Sequence, residues 1–298
     1  NKFIYYKMKN IIKFLSFLSC LLGCLHSSAQ NTLQGNMKRF EKEMSRDSWP
    51  RDTLDYAWLC VHYRQLVRKD TLSPDDFTAS EMILQIGNQM SNYTNWINLH
   101  NDSIVAYELN NTDESVLAIS NRSGERTYKS GDYQTILKNH PEGRTQVQSR
   151  VFFDRYLYEE DSPVFNWQLE KEESEWLGYK CRKATCTFRG RHYTAWYAPG
   201  ISVSNGPWKF TGLPGLILRV SDARGDYVFD ATALYRVTWE RPIYIEKRPQ
   251  EIKTTREKFL KAERAGMANP GFNIQASGKV KDVSDIRKKF PYNPMELE

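Results

Sequence analysis

Cysteine and histidine side chains are the groups in this sequence best suited to hold a metal ion. Cys181, Cys186 and His192 fall on two adjoining predicted strands, and Cys60 or His62 could complete a site for zinc or copper. Alternation along a strand points Cys181 and Cys186 to opposite faces, so both serve one metal only if a bulge intervenes. We therefore predict no metal site, and we keep a metal-handling protein or enzyme that uses Cys181, Cys186 and His192 as the alternative function.

Other signatures of catalysis are absent from the sequence. It contains no Gly-x-Ser-x-Gly, no His-Glu-x-x-His and no glycine-rich phosphate loop. The carboxylate pairs Glu159-Glu160 and Glu172-Glu173 stand in charged runs, and neighbouring residues on a strand face opposite ways. We predict a solvated surface for these pairs, and neither a catalytic residue nor a cofactor for the chain.

The aromatic residues offer a further hypothesis about binding. Seven tryptophans are spread from Trp58 to Trp239, through the region rich in strand formers. On a curved sheet such side chains can line a concave pocket for a small ligand or peptide. Packing in the core of the sheet is the favoured alternative.

Length and composition indicate a folded protein with a sizeable core. The chain has 298 residues, of which 26% are charged and 13% aromatic, so wholesale disorder is excluded. The net charge is +6, but four lysines in residues 1–29, with no acid, leave only +2 on the remainder. A field this weak gives no reason to expect nucleic acid as a partner.

The first 29 residues have the three parts of a secretory signal. Lys9 and Lys13 precede the apolar run Phe14 to Leu25, and Ser27-Ser28-Ala29 is a small-residue cleavage site. The run is too short to span a bilayer, and we expect no transmembrane span elsewhere. We predict export to the periplasm or cell envelope, with an outer-membrane lipoprotein acylated at Cys24 as the less favoured alternative.

The sequence therefore divides into three parts. Residues 1–29 form the signal peptide with an upstream extension, residues 30–54 a leader, and residues 55–298 a single β-rich domain. In an oxidising compartment a disulfide is expected to join Cys60 to Cys181 or Cys186, because the latter two lie about 16 Å apart along one strand. Three buried, unpaired cysteines are an equally weighted alternative.

Strand-forming stretches separated by turn residues dominate the chain after Pro50. The clearest hairpins pair residues 179–188 with 192–198, and residues 216–220 with 227–234. Since no helical pattern separates these strands, they predict an antiparallel sheet rather than βαβ units. One helix is predicted over residues 251–265, ending at Gly266.

Weaker patterns complete the assignment of elements. Strands are predicted at residues 116–120, 150–159 and 164–170, because these stretches are rich in β-branched and aromatic side chains. Residues 88–115 are rich in Asn and Ser and predict mainly a loop.

One segment has an unusual pattern of glycine, proline and aromatic residues. Its marked positions are Gly206, Pro207, Trp208, Phe210, Gly212, Leu213, Pro214, Gly215, Leu216 and Ile217. Proline followed by glycine, at 214 and 215, has the composition of a type II turn. Trp208 and Phe210 would face the same side of an extended chain and cover that turn. We predict a structural role for the segment.

This segment closely resembles the signature of the GLPGLI family, named for the hexapeptide found here at residues 212–217. Residues 176–184 and 190–198 are similar to the family's strands before the motif. The stretch Tyr292 to Leu297 is similar to its usual ending. The resemblance covers the chain from about Tyr56 onward.

The resemblance implies an exported envelope protein of Gram-negative bacteria, in a family with no established reaction, cofactor or catalytic residue. Members often lie in genetic neighbourhoods with TonB-dependent outer-membrane receptors. It implies a non-enzymatic accessory or ligand-binding component beside such a receptor. The strand-rich pattern is also similar to the curved half-barrels of envelope lipoprotein carriers. We therefore expect a mainly β fold, with a single curved antiparallel sheet (half-barrel or sandwich-like) and a C-terminal helix.

Overall fold

The computed structural model describes residues 51–100, 132–152, 154–246, 251–276 and 289–298, together with residues 104, 108, 112, 119 and 122. The predicted signal peptide, with Cys24, and most of the predicted leader lie outside the described residues. The first strand begins at Arg51, so the last four residues of that leader are already part of the sheet structure.

Strands make up most of the described chain. In chain order they are β1 Arg51–Tyr56, β2 Leu59–Arg68, β3 Phe77–Ile86, β4 Ser91–Asn95, β5 Thr135–Lys138, β6 Arg144–Val151, β7 Asp154–Asp161, β8 Gln168–Trp176, β9 Tyr179–Phe188, β10 Arg191–Ala198, β11 Leu216–Asp222, β12 Tyr227–Arg236, β13 Pro242–Glu246 and β14 Glu251–Thr254. Along β10 every second residue from Arg191 to Tyr197 is buried, which is the alternation of a strand with one covered face.

Within the described residues, twelve of these strands form one large sheet. Its order is β14-β7-β6-β5-β4-β3-β2-β12-β11-β10-β9-β8. Neighbours are antiparallel except β14, which lies parallel to β7. Strands β1 and β13 form a separate two-stranded ribbon. The predicted mainly β fold, with one large curved sheet and a C-terminal helix, is confirmed, although the sheet is mixed rather than purely antiparallel.

The C-terminal helix is shifted along the chain from its predicted position. Residues 251–254 are β14, and the helix α1 is Arg256–Ala268, followed by α2 Pro270–Ala276. Thr255 starts α1 because its side-chain oxygen accepts a hydrogen bond from the Lys258 N–H. Gly266 lies inside α1 rather than ending it. A Cβ there would stand 2.7 Å from Val151, so glycine permits the helix to approach β6 closely.

Several weaker assignments also differ from the structure. The predicted loop over residues 88–115 contains β4, whose polar residues are held by pairing with β3 and β5. The predicted strand at 150–159 is interrupted at Phe152, where φ is 49°, so that β6 ends and β7 begins. Ile119, the described residue of the predicted strand 116–120, is helical. Tertiary pairing overrides local composition at these places.

The sheet carries apolar clusters on its two faces. Alternate residues of β2 divide between them, with Leu59 and Val61 in the larger cluster and Cys60 in the smaller one. The larger cluster also includes Phe259 of α1 and the aromatic residues of the motif segment. In the part of the chain that the structure describes, no helix has the length and apolar character needed to cross a membrane.

Candidate functional site

The motif segment, residues 206–217, runs from the connection after β10 into the first two residues of β11. The Gly215 N–H donates to the Leu213 carbonyl at 2.8 Å, which is a three-residue γ-turn around Pro214. The predicted type II turn is therefore wrong, since φ of Gly215 is 154° rather than about 80°. The reason is close packing, because a Cβ at Gly215 would lie 2.4 Å from the Ala198 carbonyl oxygen.

Aromatic residues of the motif form the centre of the larger apolar cluster. Phe210 is fully buried and its ring contacts five others, those of Phe165, Trp167, Tyr193, Trp208 and Phe229. Trp208 has a φ of 46°, in a turn closed by the Phe210 N–H and the Pro207 carbonyl at 3.0 Å. Such a conformation costs a non-glycine residue about 1–3 kcal/mol and often marks a functional constraint. Here the residue that follows Trp208 is a buried lysine.

Lys209 is only 2% exposed and lies among charged side chains from distant parts of the chain. Its Nζ is 2.5 Å from Glu160 Oε1 and 2.6 Å from Glu296 Oε1. Arg189 pairs with the same two carboxylates at 2.5 and 2.6 Å, and Arg256 Nε lies 2.5 Å from Glu296 Oε2. We call these five residues the charge cluster. The predicted solvated surface is wrong for Glu160, which is 9% exposed.

The charge cluster keeps its buried carboxylate ionised. Burial alone would raise the pKa of Glu296, but the charge and hydrogen bond of Lys209, with Arg189 and Arg256, outweigh burial and hold this pKa below its usual value. Burial raises the pKa of the neighbouring Tyr158 phenol, and the Glu296 and Glu160 charges raise it further. Lys209 donates to that phenol oxygen at 3.3 Å. The cluster is therefore a set of paired ions beside a neutral phenol.

The C-terminal segment, residues 289–298, is bound across the sheet by donors on β10. Arg191 Nη2 donates to the Pro294 carbonyl at 2.6 Å, and the Tyr193 hydroxyl donates to the Met295 carbonyl at 3.1 Å. The next residue is Glu296 of the charge cluster. The two segments that carry the family resemblance, the motif and the chain ending, thus meet at the Lys209–Glu296 pair.

A cavity of about 470 Å³ lies between the sheet, α1 and the C-terminal segment. Trp208 and Lys209 of the motif contribute to its wall, as do Tyr227 of β12 and Phe259 of α1. Of the seven tryptophans in the pocket hypothesis, Trp208 lines this cavity. The remaining aromatic walls come largely from tyrosine and phenylalanine.

Two further charged side chains of the cavity, Glu263 and Arg150, lie outside the charge cluster. Glu263 accepts from the Tyr292 hydroxyl at 3.1 Å. Burial raises the pKa of Glu263; the Tyr292 hydrogen bond opposes this, and the charge of Asp132 adds to it. Arg150 stacks on the Tyr133 ring with 4.0 Å between the guanidinium carbon and the ring centroid. Its Nε has no hydrogen-bond partner among the described residues.

The residues of the alternative metal site, Cys181, Cys186 and His192, are not brought together. Cys186 is buried in the larger cluster opposite Tyr193 on β10, whereas His192 is exposed and shares a 2.7 Å hydrogen bond with Thr187. These neighbouring pairs face opposite sides of the sheet. Over the described ranges, no group of three or more His, Cys, Asp or Glu side chains is arranged to hold a metal.

All three cysteines of the described chain are buried free thiols. Cys60 lies in the smaller cluster, while Cys181 and Cys186 both lie in the larger one. The buried positions of β9 are Cys181, Ala184 and Cys186, so the alternation slips by one beside a register shift in β8, and the expectation of opposite faces fails. Burial raises the pKa of Cys186 to about 12, so its thiolate is scarce at neutral pH.

Sequence reasoning missed Lys209, Glu160 and Glu296 as members of one site. The available signal was a lysine placed between Trp208 and Phe210, as the one charged residue of residues 206–217. A lysine in such surroundings is buried only when paired. The sequence offered no means of identifying its partners, which lie 49 and 87 positions away.

Comparison with protein families gives a match that covers the motif. The profile of a family described as "Protein of unknown function (Porph_ging)" matches residues 187–219, which contain the hexapeptide. None of the curated proteins matches the sequence. Two solved structures, described as "Structure of PNGF-II in P21 space group" and "Structure of PNGF-II in C2 space group", are similar over 70% and 68% of this chain, each with 11% identity and a TM-score of 0.45. This chain spans about a third of their length, 33% and 32%. The motif and the strand before it are thus the part of this chain that is similar to a family of unknown function.

Proposed function

We propose that the protein is an exported, non-enzymatic component of the cell envelope that binds a small organic ligand in the cavity beneath α1. The observation that carries this proposal is the cavity itself. Its volume of about 470 Å³ falls within the range of about 300–1,000 Å³ that is typical of ligand sites. Aromatic walls with a few charged groups are the usual composition of such sites.

In this proposal the charge cluster has a structural role, which is to hold the wall of the cavity in place. Lys209 contacts both carboxylates at hydrogen-bond distance, so it fixes the motif and the C-terminal segment against each other. These two segments form part of the cavity wall. A rigid wall lowers the entropic cost of binding, because fewer side chains must be ordered when the ligand arrives.

The finer part of the proposal concerns location and partner. Export is expected from residues 1–29, and the link to a TonB-dependent outer-membrane receptor is expected from the family resemblance. In this role the protein would hold a ligand beside the receptor that imports it.

The test is purification from the native envelope, followed by mass spectrometry of what comes with the protein. The affinity tag belongs in the exposed turn between β2 and β3, where Leu72 is 91% exposed. A C-terminal tag is unsuitable, because Glu296 is buried and Arg256 also binds the Glu298 carbonyl. Near-stoichiometric recovery of a TonB-dependent receptor supports the accessory role, and a solitary protein overturns it.

Ligand binding is tested separately by native mass spectrometry of the same preparation. The variant Thr78→Trp places a large ring in the cavity wall, and Thr53→Trp places one on the exposed face of β1 as the control. A small molecule retained by the parent and by Thr53→Trp, but lost from Thr78→Trp, supports the cavity as the site. Retention by all three proteins contradicts it.

A further inference from the structure

Two acidic side chains of the cavity lie close enough to influence each other. The charge of Asp132 raises the pKa of Glu263, and both residues line the cavity. Asp132 Oδ2 accepts from Gln65 Nε2 at 2.7 Å, and Glu263 accepts from Tyr292. Neither carboxylate has a lysine or arginine within ion-pair distance in the described chain, although the exposed Lys69 acts on Glu263 from farther away. Two acids that line the same cavity without a paired cation provide a site for a positive charge.

Arg150 supplies the opposite charge in the same cavity. Its guanidinium stacks on Tyr133, the residue after Asp132, and no ion pair to it is found in the described parts of the chain. Stacking leaves the edge of a guanidinium free for a carboxylate, which it can bind through two parallel hydrogen bonds. Arg150 contrasts with Lys209, whose charge is already paired with Glu160 and Glu296.

The cavity therefore offers charged side chains of both signs rather than of a single sign. A simple cation would be repelled by Arg150, and a simple anion by Asp132 and Glu263. A ligand that carries one charge of each sign satisfies all three groups. Apolar wall residues, among them Phe259, Leu260 and Met267 of α1, suit an apolar side chain between those charges.

We propose that the cavity binds a short peptide with free termini, whose ammonium group lies with Asp132 and Glu263 and whose carboxylate pairs with Arg150. This inference rests on the proposed function in the cavity, and it names the class of ligand. The volume of about 470 Å³ favours a dipeptide or tripeptide over a single small amino acid.

The experiment is isothermal titration calorimetry of the full chain with the tripeptide Ala-Phe-Ala. Its N-acetylated and C-amidated forms are titrated in parallel, since each removes one terminal charge with little change in shape. We expect each blocked peptide to bind at least tenfold more weakly than the free one. Equal binding of the free and acetylated forms would overturn the assignment of the ammonium site.

Variants locate the two ends of the peptide. Glu263→Gln should weaken binding of the free peptide and reduce its affinity advantage over the acetylated form. Arg150→Met should weaken binding of the free peptide and reduce its advantage over the amidated form. Arg182→Met, on the exposed side of β9 and outside the cavity, is the control and should leave all three affinities unchanged. The three peptides are also titrated into the parent protein. If a variant fails to fold, the affinities measured on the parent still decide whether both termini are recognised.

The apolar dye anilinonaphthalene sulfonate separates failure of this inference from failure of the proposed function. If the dye binds the parent but not Thr78→Trp, and none of the three peptides binds, the cavity takes ligands but the peptide class is overturned. If neither dye nor peptide binds the parent, both the peptide class and the ligand-binding function are overturned.

Discussion

The charge cluster and the cysteine and histidine positions both involve the hairpin of β9 and β10, yet only the cluster forms a site. Arg189 in the turn of the hairpin reaches two buried carboxylates. Cys186 and His192, a few residues on either side, point to opposite faces of the same strands. Residue types that suggest chemistry are thus separated by strand alternation, while ordinary charged residues distant in sequence are gathered into one buried cluster.

The difference also concerns energy. Moving an ion from water into a protein costs several kcal/mol unless partners with good geometry compensate. The charge cluster meets that condition with contacts of 2.5 and 2.6 Å, and removing one member leaves its partners with less compensation. The exposed His192 carries no such dependence, because its hydrogen bond to Thr187 competes with water.

The largest effect is expected from Lys209→Met. Loss of one member of a buried ion pair costs about 3–5 kcal/mol, and we expect about 3 kcal/mol because Arg189 and Arg256 remain. Urea denaturation at pH 7 measures the change. Lys183→Met is the matched control, since Lys183 pairs with Glu170 and Glu172 on the surface, and it should barely change the midpoint. Equal losses of stability in the two variants would contradict the distinction between the buried charge cluster and the surface ion pairs.

The next largest effect is expected from Glu296→Gln, and it depends on pH. Because the pKa of Glu296 is lowered on folding, its charge stabilises the native state above the ordinary value of 4.5. That stabilisation is lost as pH falls through the folded-state pKa. We expect the variant to be about 2 kcal/mol less stable at pH 7, with the gap narrowing below pH 4.5.

Unfolding curves between pH 3 and pH 7 test this dependence. Glu172→Gln, which removes a surface carboxylate that pairs with Lys183, is the control and should show no such narrowing. A gap for Glu296→Gln that stays constant down to pH 3 would contradict the role of the ionised carboxylate.

A smaller loss is expected from Gly215→Ala in the γ-turn of the motif. The new Cβ would stand 2.4 Å from the Ala198 carbonyl oxygen, at a φ of 154° that disfavours alanine. We expect a loss well above about 1 kcal/mol. Gly200→Ala is the control, since no atom lies within 4 Å of its added Cβ. Thermal unfolding that ranks the two variants equally would show that the motif turn tolerates a side chain.

Local features of the fold were predictable from the sequence, whereas the site was not. The hairpin of β9 and β10 and that of β11 and β12 follow from glycine-containing turns between strand formers. The start of α1 was missed because a Thr cap is a weaker signal than an apolar pattern. The charge cluster depends on pairings across the whole sheet, and no local pattern marks Glu160 as different from Glu159.

A modest effect is expected from Lys138→Met, and it appears at alkaline pH. Lys138 is buried and donates to the Gly206 carbonyl at 2.6 Å, and burial lowers its pKa well below 10.5. Folding therefore releases a proton, so parent stability should rise with pH up to about 10.5. The free energy of unfolding of the variant should rise less steeply with pH. It should also be about 1 kcal/mol lower, because the hydrogen bond to Gly206 is lost.

Denaturant midpoints measured between pH 7 and pH 10 give this slope. Lys171→Met, on the exposed strand β8, is the control and should keep the slope of the parent. If Lys138→Met keeps that slope as well, the buried amine is charged in the folded protein. The surroundings of the Gly206 carbonyl would then contain a buried ammonium group without a carboxylate partner among the described residues, unlike Lys209.

The smallest effect is expected from His192→Ala, which tests the other half of the comparison. His192 is exposed and lies on the face opposite Cys186, so the melting temperature should change little and should not respond to zinc or copper. Elemental analysis of the parent and the variant, purified alike, measures bound metal. Stoichiometric metal in the parent that is lost from His192→Ala would require the two strands to rearrange. In that case residue type, rather than strand alternation, would have been the better guide to chemistry in this hairpin.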